Sequence, residues 1–576
     1  MSPGSKVQSP STPGPGPLTK LVQLPRQSLG LVVDRIRHWD PWFRNVVLAM
    51  AVYAFLYSVI SSLKYLTFNT FAWDLGIYNQ VMYSLVNGHG FHYTVEYFIN
   101  PSGNYMAQHF APDLLLIAPI YALYPSPITL LVIQSIVVAL GAYPIWLIAR
   151  ARGFTPRSSA MLSWAYLLFT PVWGANWYDF HLETFLIAAM LFAVYFWMKH
   201  RWILFWASLC VALFTEESAA FFVIFFGITL VLTNLDALLR MFRRPVRFLV
   251  EGWMPLVVVV VGTIYFVGVR AVQHALNPVI PAPFLGVYEA SSNWSILGIS
   301  NPLDPLPLLG LFVHDPGRIW EALIFAFPAK FLYLAFFFVP LLLTPLRRIW
   351  WLIPGVPWFV AILLSNYPPY YTLGYQYSSF LIPWFFVATI RALEPGGLSW
   401  KAPQFLHLRW VPRRLRGSPQ RIVLAIPTFF ILVTLLLVAV PTASTAVGSG
   451  PGFQPSLVYP SMIPGERSSG IWTLIGLIPP SASVVTQENL FPAVSSREDA
   501  YVVPYVSPQS EAWALDASHI HGPIQFVLFD PASEPGSSIF LNDTFIAPGG
   551  YELRGQAGSA VLYEWDYHGT VSVISV

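Results

Sequence analysis

The sequence predicts an all-α membrane bundle of about eleven spans carrying a small C-terminal α/β domain. Three observations predict it. Hydrophobic residues make up 55% of the 576 residues and charged residues only 10%, against roughly 25% charged in a soluble domain. Long, nearly charge-free runs recur through the first 440 residues, as bilayer-crossing helices require. The last 135 or so residues are polar enough to be soluble and alternate between helical and strand patterns.

The elements follow in chain order. Residues 1–30 are rich in Pro, Ser and Gly, with no apolar core before Val46, so they read as a disordered tail and not a cleavable signal. Residues 31–44 ("LVVDRIRHWDPWFR") suit a short interfacial helix and complete a first region, 1–44. The membrane domain is 45–441. Its expected spans are 45–64, 127–149, 158–175, 183–199, 202–216, 218–234, 252–271, 327–345, 349–365, 379–395 and 422–441. The pair meeting at Glu216–Glu217 is short for a bilayer core of ~30 Å, so one broken element would also fit there. The loops 65–126 and 272–326 are partly apolar, which suggests helices lying on the membrane. The stretch 396–421 is basic and suited to anionic headgroups. Residues 442–576 form the third region. "GIWTLIGLIPPSASVVTQENLFPAVSSREDAYVVP" reads as helix, strand, short helix, strand; "IQFVLFD" as a strand; "GYELRGQAGSAVLYEWD" as a hairpin.

Charge sets the sidedness. With the N-terminus inside, 24 of the 31 Lys and Arg fall on the inner side of the membrane domain and only Lys64, Arg270, Arg318 and Lys330 on the outer side. That is the positive-inside asymmetry. It places the N-terminus in the cytoplasm and the C-terminal domain outside an integral protein of the cell membrane. The sequons at Asn293 and Asn542 both fall on outer segments. The single Cys210 excludes an internal disulfide and a Cys-based metal site, and no Walker loop or GxGxxG fingerprint is present.

Acidic residues show the opposite bias, eleven outside and five inside across the membrane domain. Five distant segments bring polar residues to the same outer surface. They are "WDLGIYNQ" (Asp74, Tyr78, Gln80), "AQHFAPD" (His109, Asp113), "NWYDFHLE" (Asp179, His181, Glu183), "FTEES" (Glu216, Glu217) and "SNYPPYYTLGYQYSS" (Tyr375, Gln376, Tyr377). Each has an ordinary explanation. Asp74 could cap the helix that follows it. Asp179 and Glu183, four apart, would share a helix face. The tyrosines could form an interfacial belt, and Arg270 and Lys330 could simply snorkel. Together they fit a site at the membrane surface, in which carboxylates and His act as a general base or hold a hard divalent cation. The candidate ligands are Asp74, His181 and Glu183, for Mg or Mn. Arg270 and Lys330 suit a phosphate at headgroup height.

"FAWDLGIYNQVMYSLVNG", "HFAPDLLLIAPIYALYPSPITLLVIQSIVVALGAYPIWLIAR", "YDFHLETF", "TEESA", "SNYPPYYTLGYQYSSFLIP" and "LIPPSASVVTQENLFPAVSSREDAYVVP" resemble the DUF2079 family, an archaeal and bacterial group of polytopic membrane proteins. The resemblance runs from about 46 to 565. One departure shows: Thr215-Glu216-Glu217 stands where the family has Lys-Glu-Asp, so a basic partner at 215 is missing. The resemblance implies a GT-C-type fold. It also implies an inverting glycosyltransferase that takes a sugar from a polyprenyl-phosphate carrier, with an acidic catalytic residue just after the first span. Asp74 stands at that place. His109, Asp179, His181, Glu183 and Glu216 would then orient the acceptor or hold the metal. Tyr78, Gln80, Arg270, Lys330, Tyr375, Gln376 and Tyr377 would bind substrate. The expected partners are membrane lipid, the lipid-linked donor and a glycan, lipid or protein acceptor; nucleic acid is not among them. The competing readings are a lipid or solute transporter, and a non-catalytic scaffold presenting the C-terminal domain.

Overall fold

The computed structural model describes residues 39–234, 253–278, 291–299, 305–395, 426, 462–505, 509–520 and 522–575. The tail 1–30, the basic stretch 396–421 and the span expected at 422–441 lie outside these, apart from residue 426 in the last.

The first helix, Pro41–Leu66, starts where Asp40 accepts hydrogen bonds from the backbone N–H groups of Trp42 (2.8 Å) and Phe43 (3.3 Å). Residues 41–44, expected in an interfacial helix, are thus its opening turn. Leu48, Val52, Phe55 and Val59 stay exposed on one side, an apolar face suited to acyl chains. Pro127–Ala151, Met254–Leu276 and Thr344–Leu364 are also long and apolar enough to cross a membrane. Pro316–Ile324 and Phe327–Phe338 make a fifth only as one element bent by 67°. Leu182–Met198, Trp202–Phe214 and Ala219–Thr233 are apolar but shorter. The span expected at 158–175 is divided into Pro156–Leu167 and Thr170–Trp177. Pro171 is the cause: it lacks an N–H and clashes with the preceding turn, so one helix ends and another begins. The span expected at 379–395 is a helix of only twelve residues, Ile382–Leu393.

The C-terminal region follows the predicted order. A helix, Glu466–Ile475, precedes β1 (Val484–Thr486), a short helix Phe491–Val494, β2 (Ala500–Val502), β3 (Phe526–Phe529), β4 (Tyr551–Ala557), β5 (Ala560–Trp565) and β6 (Ser572–Ile574). The sheet order is β2-β1-β3-β5-β4-β6. β1 runs parallel to β2 and β3, while β5 is antiparallel to both β3 and β4. One face of this sheet shares a hydrophobic core with residues 65–133: Leu75, Val81 and Leu114 pack in the same cluster as Leu474, Phe491 and Leu528. Polar contacts pin the two parts together. The Asn79 amide donates to Ser495 (2.8 Å) and Ser496 (3.0 Å), and the Trp472 indole donates to the Leu66 carbonyl (2.9 Å).

Gly76 sits at the tightest point of this junction. A Cβ there would lie 2.5 Å from Cδ1 of Phe491, whose ring is fully buried. Overpacking of this kind costs ~1–3 kcal/mol. Gly76→Ala is therefore expected to lower the thermal unfolding temperature, and adding Phe491→Leu to recover part of the loss. An unchanged melt for Gly76→Ala would show that the junction is looser than the contacts require.

Candidate active site

Asp74 lies in a single π-helical turn, Ala72–Gly76, between the first helix and Ile77–Val86. Neither helical segment receives a side-chain cap, so Asp74 does not act as the N-cap that its position allowed. Such π-turns recur at functional sites. Its carboxylate instead reaches the segment 178–181. Oδ2 accepts from the Tyr178 hydroxyl at 2.7 Å, and Oδ1 lies 3.1 Å from His181 Nε2.

The segment that supplies these partners is extended, not helical. His181 has φ −147° and ψ 133°, and the helical turn begins at Leu182. This corrects the expectation that Asp179 and Glu183 share a helix face. Three contacts impose the extended path. Lys64 Nζ lies 2.7 Å from Asp179 Oδ1, and the Phe71 N–H donates to Asp179 Oδ2 at 2.7 Å. The Gln134 side chain accepts from the His181 N–H at 2.6 Å and donates toward the carbonyls of Tyr178 and Asp179, both at 3.4 Å. Lys64 also stands over the rings of Phe71 and Tyr178. Lys64 and Asp179 are both buried, an ion pair that neither residue could keep alone. Burial, opposed by Lys64, pushes the Asp179 carboxyl pKa upward.

His181 is fully engaged. Nε2 faces Asp74, and Nδ1 lies 3.1 Å from the Asp179 carbonyl. Burial works against the charged ring, but Glu183 and Asp74 outweigh it and hold the pKa up at about 9. An acceptor faces each nitrogen, an arrangement that lets the charged ring donate on both sides. Nε2 is engaged by Asp74, and Asp74, His181 and Glu183 are not gathered as a ligand set. Among the described residues no group of three or more His, Cys, Asp or Glu is placed to hold a metal ion.

A second polar group adjoins the first. Glu217 accepts from the Phe110 N–H at 3.0 Å and pairs with His109 Nδ1 at 3.2 Å. His109 thus supplies the positive partner that Thr215 does not. Glu216 is bonded by the Ser218 hydroxyl, and its carboxyl pKa is pushed up by burial, then by Glu183 and Glu217. The Gln376 amide nitrogen stands 3.5 Å from Glu183 Oε1. Gly174 lets this part close up. A Cβ there would lie 2.6 Å from the Gly374 nitrogen, so only glycine lets the helix Thr170–Trp177 meet the 374–380 turn. Tyr375 then rests against Tyr178 at 4.7 Å between ring centres. Tyr78 packs on Phe180 (5.0 Å), Tyr105 (5.5 Å) and His181 (5.6 Å), and Tyr377 on Trp358 (5.1 Å).

Three residues expected at substrate have other engagements. Gln80 donates to the carbonyls of Glu498 (2.9 Å) and Ala500 (3.3 Å) and accepts from Thr94, so it joins the membrane domain to the C-terminal sheet. Lys330, expected at a headgroup phosphate, is instead buried and spends its ammonium on the carbonyls of Ala322 and Leu363, both at 2.8 Å. Arg270 is half-buried and donates to Gln273 at 3.0 Å; Gln273 in turn holds the Gln108 carbonyl beside His109. Asp113 is buried with neither carboxylate oxygen bonded among the described residues.

Sequence reasoning missed Lys64, Tyr178, Gln134 and Glu488. A lysine ending the first span was a usable signal for Lys64, because charge there is costly without a partner. Glu488 belongs to the C-terminal domain. Its loop lies over the Asp74 turn: Asn489 donates toward the Phe68 carbonyl (3.4 Å), and Glu534 holds the N–H groups of Glu488 (3.2 Å) and Asn489 (2.9 Å). Burial, then Glu534, Asp74 and Asp179, pushes the Glu488 carboxyl up to about 8. Tyr505 from the same domain packs on Trp73 at 4.4 Å. Residues from both the helical part and the C-terminal sheet region thus surround the Asp74 turn.

No curated protein matches the chain. Among solved structures, ArnT from Cupriavidus metallidurans bound to undecaprenyl phosphate is similar over 90% of this chain and 97% of that one, at 16% identity and a TM-score of 0.48. The apo form of the same protein gives 13% identity, 85% and 93% coverage and a TM-score of 0.45. The Archaeoglobus fulgidus oligosaccharyltransferase, in complex with Zn and sulfate, gives 12%, 87%, 69% and 0.36. The family model described as "Predicted membrane protein (DUF2079)" matches residues 64–544, from Lys64 to a point between β3 and β4, and this chain belongs to that family.

Proposed function

We propose that the protein is a membrane glycosyltransferase that moves a sugar from a polyprenyl-phosphate carrier to a hydroxyl acceptor on the extracytoplasmic side, by one inverting displacement. The observation that carries this reading is Asp74, a carboxylate at the end of the first membrane helix, steered by Tyr178 and His181 under a second domain. The strong basic asymmetry of the loops supports an outward-facing site.

In the proposed step the acceptor oxygen attacks the anomeric carbon while its proton passes to Asp74. The bond from that carbon to the phosphate oxygen breaks, and polyprenyl phosphate leaves with the electron pair. A carboxylate offers about four lone-pair positions. Tyr178 and His181 occupy two and fix the plane of the group, which leaves the others for the acceptor. Such base assistance is worth roughly 10²–10⁴-fold. His109 and Glu216 line the acceptor side in this reading, and Arg270 is the cation nearest in kind to a leaving phosphate. No step is routed through a metal.

The test is release of polyprenyl phosphate and sugar transfer by purified protein given a panel of polyprenyl-phosphate sugars. Turnover with at least one is expected. None with any would favour transport or scaffolding.

The raised His181 pKa gives a pH prediction. The ring's folded pKa, about 9, exceeds the ordinary value of 6.5. The stabilisation from its pair with Asp74 is therefore complete below about pH 6.5 and is lost as pH rises through about 9. Turnover should fall with an apparent pKa near 9, and His181→Gln should abolish that limb. An unchanged alkaline limb in His181→Gln would assign it to another group.

A further inference from the structure

We propose that Glu183 and Gln376 hold neighbouring hydroxyls of the transferred sugar, and that this corner of the site selects a neutral sugar over a uronic acid. The inference rests on the glycosyltransferase reading and adds the class of sugar.

Glu183 lies in the first turn after the extended 178–181 segment, and Gln376 opens the short turn Gln376–Phe380. Both are at least nine-tenths buried. Their side chains meet at only 3.5 Å, the outer limit of a hydrogen bond. Glu183 Oε2 and Gln376 Oε1 are buried with no partner among the described residues. Reversing the Gln376 amide would set its oxygen against the Glu183 carboxylate, acceptor against acceptor, so the orientation shown is the one the pair requires. Two adjacent buried acceptors therefore lack donors. Buried polar atoms are normally satisfied, and a pair of sugar hydroxyls supplies what these lack.

Charge decides between kinds of sugar. Lys64, His181 and His109 are spent on Asp179, Asp74 and Glu217. Glu183 and Glu216 have no ion pair among the described residues, and burial with Glu183 and Glu217 already pushes the Glu216 carboxyl pKa upward. A uronate carboxylate would add one more anion beside Glu183 and Glu216, neither of which has an ion pair among the described residues, and it would have no hydrogen to give.

The test compares a polyprenyl-phosphate hexose, its uronate and its monodeoxy analogues, using the full-length protein in nanodiscs. Both kcat/KM and equilibrium binding by tryptophan fluorescence are read. A site built to bond a hydroxyl rejects analogues that lack it by large factors, up to ~10⁴–10⁵. Wild type should prefer the hexose over the uronate and over at least one deoxy sugar by about 10²-fold or more. Glu183→Gln, nearly isosteric, should narrow the preference over the uronate to within about tenfold, and Gln376→Leu should narrow the deoxy discrimination. Equal use of hexose and uronate by wild type, or unchanged ratios in both variants, would overturn the assignment. Hexose binding with the expected ratios but no transfer would defeat the transferase reading and leave the subsite standing. No preferential binding of any sugar would defeat the subsite.

Discussion

Asp74→Asn should fold normally and lose about 10²-fold or more in kcat. Asn is close to Asp in size, and the turn that carries residue 74 uses no side-chain cap, so the backbone there should keep its shape. A proton-accepting role would be lost, because an amide takes no proton at neutral pH. The geometry sharpens the contrast. Tyr178 donates to one carboxylate oxygen and His181 faces the other. Asn can accept from only one of them through its oxygen and presents its amide hydrogens to the second. The thermal melt checks that this costs little, and KM should change less than kcat, since the missing interaction is one made in the transition state. Turnover within a few-fold of wild type would remove Asp74 as the base.

Lys64→Met should be the most destabilising single change in the candidate site. It strands Asp179, fully buried, with only the Phe71 N–H and no cation. Breaking a buried pair from one side costs ~3–5 kcal/mol. Lys64→Met with Asp179→Leu should regain most of that stability, because an apolar pair of similar volume replaces the ions. It should not regain activity, because Asp179 also anchors the extended segment that points Tyr178 and His181 at Asp74. Thermal unfolding and turnover of the two singles and the double form a complete cycle. A double mutant with wild-type turnover would reduce the Lys64–Asp179 pair to a packing element.

Much of this arrangement was legible in the sequence because polar residues at span ends are expensive and therefore gather where they are used. "WDLGIYNQ" and "NWYDFHLE" both stand at such ends, and Asp74 meets His181 across 107 residues of chain. The helix–strand–helix–strand order after 470 was legible because strand and helix periods differ so plainly there. What was not legible depended on partners distant in the chain. The 179–183 spacing reads as helical until Lys64, Phe71 and Gln134 pull the segment straight. Lys330 reads as a headgroup or snorkelling residue until the bend at 325–326 folds it back to the Ala322 carbonyl and the helix Val356–Leu364 brings the Leu363 carbonyl to it. Glu488 carries no local mark at all; the docking of the sheet on residues 65–133 alone brings it over the site. Pro171 is the local mark of the break between Pro156–Leu167 and Thr170–Trp177, inside a run whose apolar length suits one span.

The most direct test of the central claim is a structure of the protein with a non-transferable polyprenyl-phosphonate sugar. Reacting atoms in a productive complex stand ~3–3.5 Å apart and a base within ~2.6–3.2 Å of its proton donor. The account therefore predicts the anomeric carbon about 6 Å from the Asp74 carboxylate, with room for one acceptor oxygen between them and the phosphonate on the opposite face. A sugar bound away from Asp74, or one whose phosphonate lies between Asp74 and the anomeric carbon, would contradict it.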